Sequence, residues 1–245
     1  MSAPDLAEPT ASLTIIIPAF NEGARLERTL DEIQRWLVSS ALPEVELLVV
    51  DDGSTDRTAS IAAAHPLAET ALRVVCLPIN RGKGAAVRAG VAEARGDHIL
   101  FMDADLATPI EHYRDIARAL SFADVAIGTR TASGSRVEAR PLHRKAMSLV
   151  FNKLARTLVG VEVSDVLCGF KGFRRSAAQR IFAELRAERF AFDVELLGLA
   201  RAHRLRVVEI PITWRHDARS TVRPLTHSFQ SLAELCRIAY RLRQR

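Results

Sequence analysis

The feature that most constrains the fold is a regular alternation of short apolar runs and helical patterns over the first 130 residues. The apolar runs are rich in β-branched residues and continuous, which is typical of strands covered on both faces, as in a parallel sheet. We predict strands at 13–18, 46–50, 72–77, 98–102 and 124–128. Between them we predict helices at 22–38, 54–65, 85–95 and 110–120. This order predicts an α/β fold with a mostly parallel sheet and right-handed crossovers.

The pattern changes after residue 130. There we predict helices at 140–160, 176–184 and 192–203, a strand at 207–215 and a final helix at 226–243. We find neither an internal repeat nor a low-complexity linker, which favours one domain with a C-terminal helical extension. We therefore predict a flexible tail at 1–11, a domain at 12–225 with halves 12–130 and 131–225, and an amphipathic helix at 226–245.

Composition excludes several classes of protein. Hydrophobic residues make up 48% and charged residues 26% of the chain, the balance of a folded globular protein. The three cysteines are far apart and odd in number, which argues against a disulfide framework or a zinc site and favours a reducing cytosol. We find no signal-peptide pattern and no apolar run of about 18 residues, so we expect a cytoplasmic protein without a membrane span. Aromatic residues total 6% without basic interleaving, so nucleic-acid binding is not predicted.

Polar clusters follow four of the predicted strands. They occupy 18–22, 51–54, 80–84 and 103–105. In a parallel α/β sheet, ligands bind beyond the carboxyl ends of the strands. We therefore expect the four clusters to meet on one rim, which is a stronger indication of a site than any single motif.

Asp103 and Asp105 are two carboxylates one residue apart, directly after an apolar strand. Side chains alternate along a strand, so residues i and i+2 face the same way. Two oxygen ligands aimed at one point suit Mg²⁺ or Mn²⁺, with a diphosphate as the usual partner of the ion. The alternative is a polar strand end with an Asp helix cap, because Asp-x-Asp is a common pattern.

Two further clusters are weaker indications. Asp51 and Asp52 close the second strand and predict hydrogen bonds to a ribose or base, or else an ordinary turn. Lys83 lies between two glycines where a helix begins, a position that favours anions. The spacing is that of neither a P-loop nor a G-x-G-x-x-G fingerprint, so the ATPase and dehydrogenase interpretations lack motif support.

The clusters occur in an order that resembles a known family. IIIPAFNE, LLVVDDGSTDRT, NRGKGAAVRAG, FMDADLATP and IGTR resemble the family 2 glycosyltransferases of GT-A fold. SDVLCGFKGF, ERFAFDVELL and VEIPITWRHDARSTVRP resemble the polyprenyl- and dolichyl-phosphate glucosyl- and mannosyltransferase branch. The resemblance covers roughly residues 12 to 235 and implies a GT-A, Rossmann-like, mostly parallel sheet with flanking helices.

The resemblance also implies roles for matching residues. Asp103 and Asp105 would hold a Mg²⁺ or Mn²⁺ ion with the donor diphosphate, and Lys83 would line the nucleotide end. Arg130 and Asp165 would be the catalytic residues: Arg130 would lie near the acceptor or donor phosphates, and Asp165 would lie near the reaction centre as a base or a positioning residue. The residues implied around the nucleoside are Pro18, Asn21, Glu22, Asp51 and Asp52.

One late loop departs from the branch, which usually has Gly-Ser-Lys there. In this chain no Lys follows Ser220, and Arg219 or Arg223 would supply the cation. Arg can grip a phosphate through two parallel hydrogen bonds. We therefore assign Ser220 and Arg223 to the predicted donor-binding set.

The activity that the resemblance implies is inverting transfer of a hexose to a polyprenyl phosphate. UDP-glucose is the favoured donor because RGKGAAVRAG and RFAFDVELL follow the glucose branch, and GDP-mannose is the alternative. A nucleotide-binding regulatory module without catalysis is the alternative of another class, and intact Asp103 and Asp105 argue against it.

A lipid acceptor would require contact with a membrane surface. Region 140–160 carries apolar residues at helical spacing with basic residues between them, and the final helix repeats the pattern. This pattern is typical of a helix in the interface of an anionic bilayer, and also of ordinary packing against a sheet. On the resemblance we expect peripheral association with the cytoplasmic face of the membrane.

Overall fold

A computed structural model describes residues 11–40, 42, 44–138, 142–189, 191–215 and 228–244. For residues 142–148 and 228–233 the backbone alone is described. Residues 1–10 of the predicted tail lie outside these ranges.

The strands of the described ranges are short and the helices alternate with them. The strands are β1 Leu13–Ala19, β2 Val45–Asp51, β3 Leu72–Cys76, β4 His98–Met102, β5 Val125–Thr129, β6 Arg136–Glu138, β7 Phe170–Arg174, β8 Val207–Pro211 and β9 Thr213–Arg215. The helices are α1 Leu26–Ser39, α2 Thr58–Ala64, α3 Lys83–Glu93, α4 Tyr113–Leu120, α5 Leu142–Val159, α6 Arg175–Glu184, α7 Phe192–Ala202 and α8 Ser228–Arg243. Short 3₁₀ turns occupy Pro66–Glu69 and Ile110–His112.

Seven strands form one sheet in the order β3-β2-β1-β4-β7-β5-β8, and β6 pairs with β9 separately. All neighbours in the large sheet are parallel except β7, which runs antiparallel to both β4 and β5. The predicted α/β class and mostly parallel sheet are confirmed. The antiparallel β7 is an addition that the sequence patterns did not predict.

Helices cover both faces of the sheet, which explains the continuous hydrophobicity of the strands. One face packs Ile16 and Phe101 against α3, α6 and α7, and the other packs Ile15 and Leu100 against α1 and α4. Helix α3 lies very close to the sheet, because a Cβ on Gly90 would fall 2.6 Å from Cγ2 of Ile16. The result is a three-layer arrangement whose strand ends are left free to form a site.

Several predicted boundaries were wrong for local reasons. The helix predicted from residue 54 begins at Thr58, because the Ser54 amide instead donates to the Asp51 carboxylate at 3.3 Å. Helix α3 begins at Lys83 rather than at residue 85. The predicted strand 207–215 divides at Ile212, whose amide donates to the Thr129 carbonyl at 3.2 Å, and becomes β8 and β9.

Candidate active site

The carboxyl ends of β1, β2, β4 and β5 lie at one edge of the sheet, as parallel strands require. Because β7 is antiparallel, the segment that precedes it reaches the same edge, with Phe170 paired to Met102. This arrangement brings the predicted clusters after the parallel strands next to the segment 164–169. We call this edge the rim.

The loops after β1 and β2 hold each other by hydrogen bonds. The amide of Asn21 donates to Ser54 Oγ at 2.9 Å, and the Thr55 amide donates to Asn21 Oδ1 at 2.9 Å. Asn21 adopts a positive φ of 54°, a conformation that Asn tolerates better than most residues. The Glu22 carboxylate pairs with Arg25 Nε at 2.6 Å, while Pro18 lies within β1. Asn21 and Glu22 therefore shape the rim, and their predicted nucleoside contacts remain predictions.

Asp52 builds the loop that leads to Lys83. Its two oxygens accept hydrogen bonds from Asn80 Nδ2 at 3.0 Å and from the amides of Arg81 and Gly82 at 2.9 and 2.7 Å. Asp51 is also buried and accepts from the Ser54 amide. The buried carboxylates are thus satisfied by amide donors, which is the condition for burying such a charge. A direct contact of either residue with a nucleoside stays a prediction.

Lys83 and Asp103 form a close ion pair across the rim. Lys83 Nζ lies 2.5 Å from Asp103 Oδ1. Burial alone would lower the pKa of the Lys83 ammonium, but the charges of Asp103 and Asp193 outweigh it and the pKa is raised. Lys83 therefore stays protonated and brings a fixed positive charge beside the predicted metal ligand.

Asp105 lies next to this pair, in surroundings that disfavour its negative charge. Burial and the negative charge of Asp103 raise the pKa of the Asp105 carboxyl, although it accepts a 3.0 Å hydrogen bond from the Ala107 amide. A divalent cation would relieve that repulsion, and carboxylate oxygens are the ligands that Mg²⁺ prefers. Among the described residues, no group of three or more His, Cys, Asp or Glu is placed to hold a metal. Metal binding by Asp103 and Asp105 therefore remains a prediction.

Gly169 packs directly on the Asp103 carboxylate. A Cβ at this position would fall 1.9 Å from Asp103 Oδ2, so any larger residue would have to displace the Asp103 carboxylate. The segment before β7 therefore fixes the back of the predicted metal site. The sequence indicated this segment as a motif but gave no sign of this contact.

Arg130 and Asp165, the two predicted catalytic residues, form one buried bidentate ion pair. Arg130 Nε and Nη2 lie 2.6 and 2.7 Å from the Asp165 oxygens, and the Arg130 amide donates at 3.1 Å. Burial would raise the pKa of Asp165, but the hydrogen bonds and charge of Arg130 hold it below its usual value. The same carboxylate raises the pKa of the Arg130 guanidinium. Because a carboxylate with a lowered pKa is a weak base, Asp165 is better suited to orienting Arg130 than to removing a proton.

Glu209 on β8 supports Asp165 from behind and was not predicted. Its Oε1 accepts from the Ser164 amide at 2.9 Å, from Ser164 Oγ at 2.6 Å and from the Asp165 amide at 3.3 Å. Ser164 Oγ also lies 2.6 Å from Thr131 Oγ1. Glu209 was missed because it lies in an apolar strand pattern and its partners are distant in sequence.

A second unpredicted element is the fully buried pair of Lys171 and Asp193. Lys171 Nζ donates to Asp193 Oδ1 at 2.5 Å and to the carbonyls of Val166 and Cys168 at 3.1 and 2.5 Å. Burial raises the pKa of Asp193 despite this partner. Lys171 therefore ties the segment after Asp165 to helix α7. A lysine inside the run FKGF was the available signal.

The predicted late-loop residues Ser220 and Arg223 lie outside the described residues. Within the described part of the chain, no helix is both long enough and apolar enough to cross a bilayer.

Comparison with known proteins identifies the family of the chain. Residues 14–182 match glycosyl transferase family 2. A dolichyl-phosphate beta-glucosyltransferase of Dictyostelium discoideum is 33% identical over 242 residues, which are 94% of this chain and 74% of that protein. The Drosophila melanogaster and Homo sapiens proteins of the same name are 37% and 34% identical, each over 88% of this chain and 71% of the relative.

Solved structures confirm the fold. Glucosyl-3-phosphoglycerate synthase from Mycobacterium tuberculosis in complex with UDP has a TM-score of 0.65 at 24% identity, covering 94% of this chain and 80% of that one. Its complex with Mn²⁺, UDP-glucose and phosphoglyceric acid has a TM-score of 0.60 at 23% identity, covering 92% and 80%. The predicted GT-A fold agrees with these neighbours, and the family match together with the relatives makes the chain a glycosyltransferase that belongs to glycosyl transferase family 2.

Proposed function

We propose that the enzyme transfers glucose from UDP-glucose to a polyprenyl phosphate with inversion, giving a β-linked lipid phosphosugar. The observation that carries this proposal is the similarity, over most of the chain, to relatives that share the name dolichyl-phosphate beta-glucosyltransferase. The residues of the rim have the chemistry that such a reaction requires.

The donor proposal places a nucleoside diphosphate at the edge formed by Lys83 and the two aspartates. A protonated lysine at the start of α3 adds its charge to that of the helix N-terminus, and both attract a diphosphate. The bound UDP of the mycobacterial structures supports a uridine donor for this chain. GDP-mannose remains the alternative donor.

We also propose that Asp103 and Asp105 hold Mg²⁺ or Mn²⁺ with the donor diphosphate. Mycobacterial neighbours were crystallised with each of these ions and UDP. The ion would stabilise negative charge on the departing diphosphate. Lys83 would contribute a second positive charge to the same group, and it would balance Asp103 before the donor arrives.

In the proposed reaction, a phosphate oxygen of the acceptor attacks the anomeric carbon of the sugar. The new carbon–oxygen bond forms as the bond to the nucleoside diphosphate breaks, and the electron pair leaves with that diphosphate. The acceptor is already anionic at neutral pH, so no side chain needs to remove a proton. Asp165 would then act by orienting Arg130, whose outer guanidinium edge would attract the acceptor phosphate.

A lipid acceptor requires the enzyme to meet a membrane, and α5 offers an exposed apolar face. Leu149, Val150 and Leu154 are 54%, 61% and 38% exposed, and the neighbouring Lys153 and Arg156 are exposed as well. Basic residues near an anionic surface contribute about 1 kcal/mol each, and apolar side chains add insertion. We propose that this face docks the enzyme peripherally on the cytoplasmic leaflet.

A donor and acceptor screen tests the catalytic proposal. Purified enzyme would be mixed with Mg²⁺, vesicles containing a polyprenyl phosphate, and either UDP-glucose or GDP-mannose, with lipid products read by mass spectrometry. We expect a lipid phosphoglucose from UDP-glucose only. A mannosylated lipid formed from GDP-mannose would instead support the alternative donor. Product formed with a water-soluble acceptor but not with the polyprenyl phosphate would refute the lipid-acceptor proposal.

Vesicle co-sedimentation tests the docking face. We expect Leu149→Glu/Leu154→Glu to reduce binding to anionic vesicles at low salt, because two charges replace inserted apolar groups. Val38→Glu is the matched control, since Val38 is 86% exposed on α1, which packs on the opposite face of the sheet. Equal sedimentation of both variants and the wild type would refute docking through α5.

A further inference from the structure

The segment 185–189, between α6 and α7, packs against the loop that presents Lys83. The Glu188 carbonyl accepts a hydrogen bond from the Ala85 amide at 3.1 Å. A Cβ on Gly84 would fall 2.6 Å from the Ala187 carbonyl oxygen, and a Cβ on Gly82 would fall 2.7 Å from the Glu188 carbonyl oxygen. The two glycines beside Lys83 thus rest directly on this segment, and its position sets theirs.

Glu195 on α7 holds that segment in place. This side chain is buried, and its Oε2 accepts hydrogen bonds from the amides of Arg186 and Ala187 at 2.9 and 2.5 Å. Charged acceptors make stronger hydrogen bonds to amides than neutral ones do. Glu195 therefore anchors the segment that backs the Lys83 loop.

The other oxygen of Glu195 binds the C-terminal helix. Arg241 Nη2 on α8 lies 3.0 Å from Glu195 Oε1. Helix α8 packs against α7, and its residues Leu235 and Ile238 are buried. Gly198 of α7 leaves room for Leu242, whose Cδ1 would lie 2.3 Å from an added Cβ. The buried Glu195 carboxylate therefore connects α8 through one oxygen with the segment 185–189 through the other.

We propose that Glu195 is a positioning residue that couples the docking of α8 to nucleoside diphosphate binding at Lys83, an inference that rests on the proposed donor site. If α8 moves away, Glu195 loses its cationic partner and is opened to water, which competes with the 186 and 187 amides for the carboxylate. The Gly82–Gly84 backbone then loses its fixed support. Lys83 is no longer held where it meets Asp103 and the diphosphate.

Linkage makes the coupling reciprocal. A nucleoside diphosphate that binds the ordered Lys83 loop stabilises every contact on which that order depends, including the Glu195–Arg241 pair. The bound ligand therefore holds α8 more firmly against α7, although α8 contributes no side chain to the rim among the described contacts.

Titration calorimetry of two arginine variants tests the coupling. Arg241→Gln removes the charge that meets Glu195, whereas Arg243→Gln removes an exposed charge two residues further along the same helix. Each protein would be titrated with UDP and Mg²⁺, and with GDP and Mg²⁺. We expect Arg241→Gln to weaken nucleotide binding at least about fivefold, the lower end of coupling between linked sites, with Arg243→Gln close to wild type.

Hydrogen exchange separates this coupling from a loss of stability. We expect saturating nucleotide to slow amide exchange in α8 of the wild type and of Arg243→Gln, and to leave α8 exchange unchanged in Arg241→Gln. Equal nucleotide affinity of the two variants, or α8 exchange that ignores nucleotide in the wild type, would overturn the inference alone. Wild-type protein that binds neither UDP nor GDP would overturn the proposed donor and the inference together.

Discussion

Replacement of Asp165 by Asn tests the buried bidentate ion pair of the rim. The substitution keeps the size of the side chain and removes its negative charge. Arg130 would then remain as a cation whose side chain is only 10% exposed and whose three hydrogen bonds had been made to a carboxylate. We therefore expect a loss of stability as well as of transferase activity.

The magnitude follows from the burial of both partners. Removing one member of a buried ion pair lowers the free energy of unfolding by about 3–5 kcal/mol. The amide oxygen that Asp165→Asn introduces would still accept one hydrogen bond, so we expect the lower end, about 3 kcal/mol. The matched control is Asp115→Asn, because the 3.5 Å pair of Asp115 with Arg118 is on the surface and contributes about 1 kcal/mol or less.

A double-mutant cycle measured by urea unfolding isolates the pair. Asp165→Asn, Arg130→Gln and the double variant would be compared at pH 7. Residues in direct contact show interaction energies of about 0.5–3 kcal/mol, and for this geometry we expect about 2 kcal/mol. Additive losses, or an Asp165→Asn protein as stable as the wild type, would refute the assignment of this pair as a buried electrostatic contact.

The pH dependence has a definite sign. The folded-state pKa of Asp165 is lowered, so its contribution to stability is present above the unfolded value of about 3.9 and is lost as pH falls through the folded value. The stability gap between wild type and Asp165→Asn should therefore be constant from about pH 5 to 8 and shrink below about pH 4. A gap that changes mainly above neutral pH would contradict the lowered pKa.

Three further predictions concern the same rim. Asp105→Asn should abolish the strengthening of UDP binding by Mg²⁺ without unfolding the protein. Calorimetry would measure UDP affinity with and without Mg²⁺, and a variant in which Mg²⁺ still strengthens binding as in the wild type would contradict this prediction. Gly169→Ala should reduce the transfer rate by about a hundredfold, because the new Cβ displaces Asp103 by roughly an ångström, and steady-state assays near wild-type rates would argue against this contact. Lys171→Met should lower the free energy of unfolding by about 3 kcal/mol or more, because Asp193 is left buried without its cation. Adding Asp193→Asn should recover part of that loss in urea unfolding, and a double variant weaker than Lys171→Met would count against the pair.

The strands of residues 12–130 were predicted well because the information that specifies them is local in the sequence. β4 coincides with the predicted strand 98–102, and β1 and β2 differ from prediction by one residue at one or both ends. Their apolar runs are continuous and are followed by turn residues, so the hydrophobic pattern and the turn residues indicate the same strand boundaries. The same agreement identified the clusters that meet at the rim.

The unpredicted parts depend on partners that are distant along the chain. β7 contains Lys171, a charge that argues against a buried strand until Asp193, 22 residues later, neutralises it. Arg130 was predicted near phosphates and Asp165 near the reaction centre, but the ion pair between them joins residues 35 positions apart and favours the positioning role of the carboxylate. No pattern within a window of a strand or helix contains either contact.

The pairing register of β7 also limits which insertions the chain can accept. In a strand the side-chain period is two, so shifting the pairing by one residue turns every side chain to the opposite face of the sheet. One residue added between Asp165 and Phe170 that moved the pairing of β7 would turn Lys171 away from Asp193 and toward α4. That face has no room for a side chain, because a Cβ on Gly172 would fall 2.2 Å from Cγ2 of Ile116. The number of residues between Asp165 and Phe170 therefore matters as much as their identity. Lengthening this segment would disrupt the core and the rim together.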